Sequence, residues 1–163
     1  MSRRRILWTG LAVALVVIAL DQLSKQLILS GLEHTIAVTG FFNLVLVFNP
    51  GASFGLFAGH PDYARIGFTA IALLAAIALV IWLARARERW LAWPLGAILG
   101  GALGNTIDRV RFGAVVDFLD FHVAGYHWPA FNVADSAICV GAFALIVESL
   151  IRSRAETPSH DRT

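Results

Sequence analysis

Two carboxylates sit in surroundings that give a charge little reason to be there. Asp117 lies in Ala114-Val115-Val116-Asp117-Phe118-Leu119, and Asp135 in Phe131-Asn132-Val133-Ala134-Asp135-Ser136-Ala137 with no cation beside it. The bland readings are a solvated loop carboxylate for Asp117 and a helix N-cap for Asp135. Brought together in a low-dielectric site, however, two carboxylates do not both ionise cheaply, so they hold one proton between them. One then takes a proton from a water attacking a carbonyl, and the other protonates the carbonyl oxygen and later the leaving amine. The pair titrates as a unit. That is aspartyl-peptidase chemistry, and it calls for no metal and no other cofactor.

Other polar residues gather nearby in the chain. Asp21 and Lys25 are spaced i, i+4, which a local ion pair would explain. Asn105, Asp108 and Arg109 stand at one helix end, where Arg109 would suit the negative end of the dipole. Asn49 precedes Pro50-Gly51 and reads as a turn residue. Asn132 precedes Asp135, while Asp120 follows Asp117. No H-E-x-x-H or phosphate-cradling glycine loop occurs, so zinc and nucleotide chemistries lose support. The histidines His34, His60, His122, His127 and His160 make no ligand-spaced set.

The elements that must position these residues are membrane helices. The chain has 163 residues, 58% of them hydrophobic and 15% charged, and a mean hydropathy of +0.71, far from soluble norms. Apolar stretches predict an all-α integral membrane protein with four transmembrane helices at about 6–29, 64–84, 90–109 and 131–151. The first, led by Arg3 to Arg5, also has the look of a cleavable signal peptide, but no small-x-small site follows Leu20 and the helical pattern runs on through Lys25. Gly96, Gly100, Gly101 and Gly104 read as close helix packing. Cys139, the one cysteine, reads as a small membrane-buried packing residue.

Basic clusters at Arg3 to Arg5, at Arg85, Arg87 and Arg89, and at Arg152 and Arg154 place both termini in the cytoplasm. Because the basic residues flank apolar runs, the net charge of +2 does not suggest nucleic acid as a partner. The connections at about 30–63 and 110–127 then lie outside, and a small β-sheet platform in the headgroup layer is expected from 35–39 and 42–48 in the first. The tail at about 155–163 is polar and expected to be disordered. Residues 1–163 form one membrane-embedded domain. Asp21 and Lys25, Asn105 to Arg109, Asp117 and Asp120, and Asn132 and Asp135 all collect at the outer leaflet, whereas most of each span carries no ionisable group.

Five ordered blocks carry a resemblance to the lipoprotein signal peptidases, also called signal peptidase II: Asp21-Gln22-Leu23-Ser24-Lys25, Asn49-Pro50-Gly51-Ala52-Ser53-Phe54, Gly101-Ala102-Leu103-Gly104-Asn105-Thr106-Ile107-Asp108-Arg109, Val115-Val116-Asp117-Phe118, and Phe131-Asn132-Val133-Ala134-Asp135-Ser136. The resemblance implies that Asp117 and Asp135 are the catalytic aspartates. It implies support or substrate-binding roles for Asn49, Gly51, Asn105, Arg109 and Asn132, with Asp21, Lys25 and Asp108 at further motif positions. It also implies a multi-pass enzyme of the bacterial inner membrane, its active site near the periplasmic face, that cleaves diacylglyceryl-modified prolipoproteins just before the lipidated cysteine. Membrane lipid is then a second partner, and a monomer is expected. Ser53 stands where the family usually has alanine. From other classes, a small ion- or proton-coupled transporter and a scaffold subunit are the alternatives. A transporter relay should spread ionisable groups along the full depth, and here they cluster at one face.

Overall fold

The computed structural model describes residues 2–51 and 61–156. Four long helices carry the chain: α1 (Arg3–Gly31), α2 (Pro61–Arg85), α3 (Ala92–Phe112) and α4 (Val133–Glu156). Three of them, α1, α2 from Arg65 and α4 to Ser153, are long and apolar enough to cross a membrane. The fourth, α3, carries Asn105, Asp108, Arg109 and Arg111, and packs against all three others. Its inward faces explain how it tolerates that polarity.

Glycine decides how close those helices come. A Cβ added at Gly96 would collide with the Gly10 carbonyl of α1, and one at Gly100 would sit 2.6 Å from the Ala14 carbonyl oxygen. On the opposite side a Cβ at Gly101 would strike the Ala134 carbonyl of α4. The stripe foreseen as a packing surface therefore seats α3 between α1 and α4, backbone against backbone. At its C-terminus Gly113 (φ 77°) donates its N–H to the Arg109 carbonyl and turns the chain out of the helix.

The sheet is larger than the sequence suggests. Strands β1 (Ile36–Thr39) and β2 (Phe42–Asn49) come from the first connection as expected, but β3 (Val115–Val123) and the short β4 (Tyr126–His127) come from the second. The four are antiparallel in the order β1-β2-β3-β4. Asp117 and Asp120 are thus strand residues, and both are buried. The sheet expected in the first connection is present, and β2 extends it by pairing with β3 of the second connection.

A bulge in β2 matters for the site. Asn43 pairs with Asp120 and Val47 with Asp117, with one extra residue of β2 inserted between Leu44 and Val47. A one-residue slip exchanges the faces of a strand. Asn43 therefore shares a face with Asp120, while Val47 and Asn49 share the other with Asp117.

Helix bounds differ from the expectation at the ends. Ser2 Oγ accepts the Arg5 N–H and starts α1 three residues earlier than expected, α3 starts two residues later behind a 3-10 turn at Arg89–Leu91, and α4 begins two residues later. Ala155 and Glu156 belong to α4 rather than to a disordered tail; 157–163 lie outside the described residues. Cys139 is exposed on the surface of α4, not packed inside the protein, because Ala134, Ile138 and Gly141 mark the side of α4 that meets α3.

Candidate active site

The chain segment entering α4 is sewn to β3. The Phe131 carbonyl accepts the N–H groups of Phe118 and Leu119, and the Phe131 N–H returns to the Leu119 carbonyl at 3.1 Å. This ladder fixes Asn132, fully buried, beside Asp117. Asn132 Nδ2 donates to Asp117 Oδ1 at 2.7 Å, while its Oδ1 accepts the Asp135 backbone N–H at 2.9 Å. In return, the Asn132 backbone N–H reaches Asp135 Oδ2 at 3.3 Å. Asn132 is therefore the N-cap and Asp135 the third helical residue of a reciprocal capping box. The simple N-cap reading of Asp135 is off by one turn position, and its Oδ1 is left to accept Asn105 Nδ2 at 2.7 Å.

Asp117 Oδ2 accepts Asn49 Nδ2 at 2.9 Å, across the β2–β3 pair on the face that the bulge assigns. Asn49 is also the expected turn residue, since its Oδ1 accepts the Gly51 N–H at 2.9 Å. Gly51 takes φ 85°, and a Cβ there would press on the Phe68 ring at 2.8 Å, so two constraints favour glycine. Burial and the neighbouring charge of Asp135 push the Asp117 carboxyl up to about 6, against the opposing hydrogen bonds from Asn49 and Asn132. Asp135 is only partly buried. One carboxyl is thus sheltered and the other open to an arriving water.

Below this pair lies a second buried cluster. Lys25 Nζ meets Asp21 Oδ2 at 2.8 Å and Asp108 Oδ2 at 2.6 Å, so the pair foreseen within α1 extends to α3. Asp21 Oδ1 accepts the Ala134 N–H at 2.9 Å, capping α4 from another helix. Asp108 Oδ2 accepts the Val116 N–H at 3.1 Å and so anchors β3. Gln22, to which the sequence assigns no role, donates to Asp21, Asp108 and the Gly104 carbonyl. Spacing alone does not find it, because i and i+1 do not face each other on a helix.

Arg109 stands apart from these ion pairs. Its Nη1 reaches the Asn105 carbonyl at 3.4 Å, its guanidinium carbon lies 5.7 Å from the Phe68 ring centroid, and its buried Nε has no partner among the described residues. Asp120 is only 6% exposed, under Asn43 Nδ2 (2.9 Å) and His127 Nδ1 (2.8 Å). These hydrogen bonds hold its carboxyl below the ordinary range, His127 most of all. His122 stacks on His127 with ring centroids 4.9 Å apart. Ser53 and Phe54 of the second block lie outside the described residues.

A largely helical membrane scaffold that joins two carboxylates of unequal burial through asparagines fits a membrane-embedded hydrolase. The sequence profile of the family described as signal peptidase (SPase) II matches residues 13–151, and the chain belongs to that family of peptidases. Curated relatives include the lipoprotein signal peptidase of Janthinobacterium sp. (strain Marseille), 49% identical over 150 residues, which cover 89% of this chain and 88% of the relative. That of Burkholderia vietnamiensis (strain G4 / LMG 22486) is 50% identical over 152 residues, covering 90% and 89%. Two solved structures, each described as a bacterial membrane enzyme, are similar throughout. One is 30% identical with a TM-score of 0.79 and covers 94% of both chains; the other is 32% identical with a TM-score of 0.77 and covers 87% of this chain and 92% of its own.

Proposed function

We propose that this peptidase removes the signal peptide from prolipoproteins whose lipobox cysteine already carries a diacylglyceryl group, cutting just before that cysteine with Asp117 and Asp135. The observation that carries the reading is Asn132, whose side chain holds Asp117 at 2.7 Å while its backbone holds Asp135 at 3.3 Å. Asp135, the more open carboxyl, takes a proton from water as the water oxygen bonds to the scissile carbonyl carbon. Asp117 gives its proton to the carbonyl oxygen. When the tetrahedral adduct collapses, the C–N bond breaks and the nitrogen leaves with a proton from the pair. Neither step needs a cofactor.

The substrate follows from depth. All four helices cross a bacterial inner membrane with both termini in the cytoplasm, as the basic clusters favour, and the sheet lies at the periplasmic surface. Its exposed Ile36, Val38, Phe41, Val47 and Phe48 suit the headgroup layer. Acyl chains on the cysteine hold the scissile bond at that level, so their binding energy is spent on position. The enzyme works as a single monomeric domain with membrane lipid as its other partner, and membership of a peptidase family displaces the transporter reading.

The test is a paired assay of purified protein on one prolipoprotein, with and without the diacylglyceryl group, in micelles and in bilayers. The lipidated form is expected to show much the higher kcat/KM. Equal values in both settings would overturn the lipid specificity, and no cleavage of either would overturn the whole reading.

A further inference from the structure

Three asparagines touch the carboxylate pair, and each has its amide orientation decided by a group able only to donate. The Gly51 N–H fixes Asn49 and the Asp135 N–H fixes Asn132. For Asn105 the deciding donor is a charged side chain: Lys25 Nζ lies 3.0 Å from Asn105 Oδ1. An ammonium has three donors and no acceptor. The oxygen of Asn105 must therefore face Lys25, which turns Nδ2 toward Asp135 Oδ1 at 2.7 Å.

We infer that Lys25 is a positioning residue for the peptidase reaction: through Asn105 it decides that Asp135 receives a hydrogen bond rather than faces a carbonyl oxygen. The inference rests on the reading of Asp117 and Asp135 as the reacting pair. Lys25 is itself held by Asp21 and Asp108, the charged groups that face it from α1 and α3. Around Asp135 stand Asn105 and the Asn132 backbone, with the charges of Arg109 and Asp117 nearby. Among the described residues, the other donor to Asn105 Oδ1 is Asn132 Nδ2 at 3.2 Å, and it divides two hydrogens among Asn105, the Val116 carbonyl and Asp117. It does not hold the amide alone. Without Lys25, Asn105 is free to turn its oxygen to Asp135, an arrangement that repels a carboxylate and welcomes a carboxylic acid.

Replacing Lys25 alone would strand buried carboxylates. The double variant Asp21→Asn/Lys25→Met keeps the formal charge of the cluster at that of the native trio, one negative. Asn at 21 still offers an oxygen to the Ala134 N–H, and Asp108 keeps Gln22 and the Val116 N–H. Relative to wild type and to Asp21→Asn alone, the double variant is expected to lose on the order of a hundredfold in kcat. The acidic limb of its pH profile should move up by about one unit. A cycle with Asn105→Leu identifies the route: adding Asp21→Asn/Lys25→Met to Asn105→Leu should change the rate by less than about threefold. An unmoved limb in the folded double variant, or losses that multiply in the cycle, would overturn the inference. So would failure of the charge-matched variant to fold, which would assign Lys25 to stability alone. Failure of the underlying pair reading shows differently, as a fully active Asp135→Asn.

Discussion

Asn132 and Asp135 cap one helix for each other, side-chain oxygen to backbone N–H at 2.9 Å and backbone N–H to carboxylate at 3.3 Å. The arrangement spends one Asp135 oxygen on helix geometry and leaves the other to Asn105. It also fixes which end of the Asn132 amide faces Asp117. Helix start and carboxylate pair are thus a single piece of construction.

Asp117→Asn and Asp135→Asn should each abolish cleavage while the protein still inserts and melts cooperatively. An amide neither takes the water's proton nor delivers one, and losses on the order of a thousandfold or more are expected for a pair acting as a unit. The check is kcat on a lipidated substrate beside a melting curve; near-normal turnover by either folded variant would sink the assignment.

Asn132→Ala removes a cap together with the bonds its Nδ2 makes to Asp117, Asn105 and the Val116 carbonyl. It should cost about 1 kcal/mol in stability and on the order of a hundredfold in kcat. Denaturation in detergent and single-turnover rates separate the two. A stability loss with an unchanged rate would reduce Asn132 to a cap.

Asp117, raised to about 6, gives the pH dependence its sign. The fold favours its protonated form, so the cost of ionising it grows as pH rises from the ordinary carboxyl value through about 6 and is complete above. If Asp117 supplies the acid, kcat/KM should fall along that alkaline limb. Asn49→Ala deletes a bond that favours the ionised form, so its limb should lie at higher pH. A limb that stays put or moves down contradicts the role.

At Asp120 the sign is reversed. Its carboxyl is depressed by His127 and Asn43, so the tie it makes across β2, β3 and β4 is fully present above the ordinary carboxyl value and fades as pH falls through the lowered one. Asp120→Asn should lower Tm at neutral pH, the difference from wild type closing in acid below about pH 4, and kcat at neutral pH should change little. A collapse of kcat in a folded variant would bring Asp120 into the chemistry.

How much of this the sequence announced depended on range. Asp117 and Asp135 were legible because a carboxylate among Val, Phe and Ala needs an explanation, and the four helices because apolar runs are local. The β2–β3 pairing was not: it joins residues some 70 apart, and its bulge leaves no mark in composition. Without that register, Asp120 resembles a loop residue and Asn49 only a turn. Lys25 looked like one half of a helical pair because its second carboxylate and Asn105 come from another helix.

The tie from Asp21 to the start of α4 bears on what kind of segment α1 is. A basic lead-in before an apolar run is the dress of a leader, the very class of segment this family excises. Here the leader-like stretch is tied into the rest of the fold through buried polar groups. Taking it away would strip Ala134 of its acceptor and Asn105 of its ammonium in one cut. Nor does it offer a lipidation point of its own, since the chain's one cysteine is Cys139, on the last helix. Helix α1 thus looks like the segments this family removes, while its own Asp21 and Lys25 hold the start of α4 and the Asn105 amide in place.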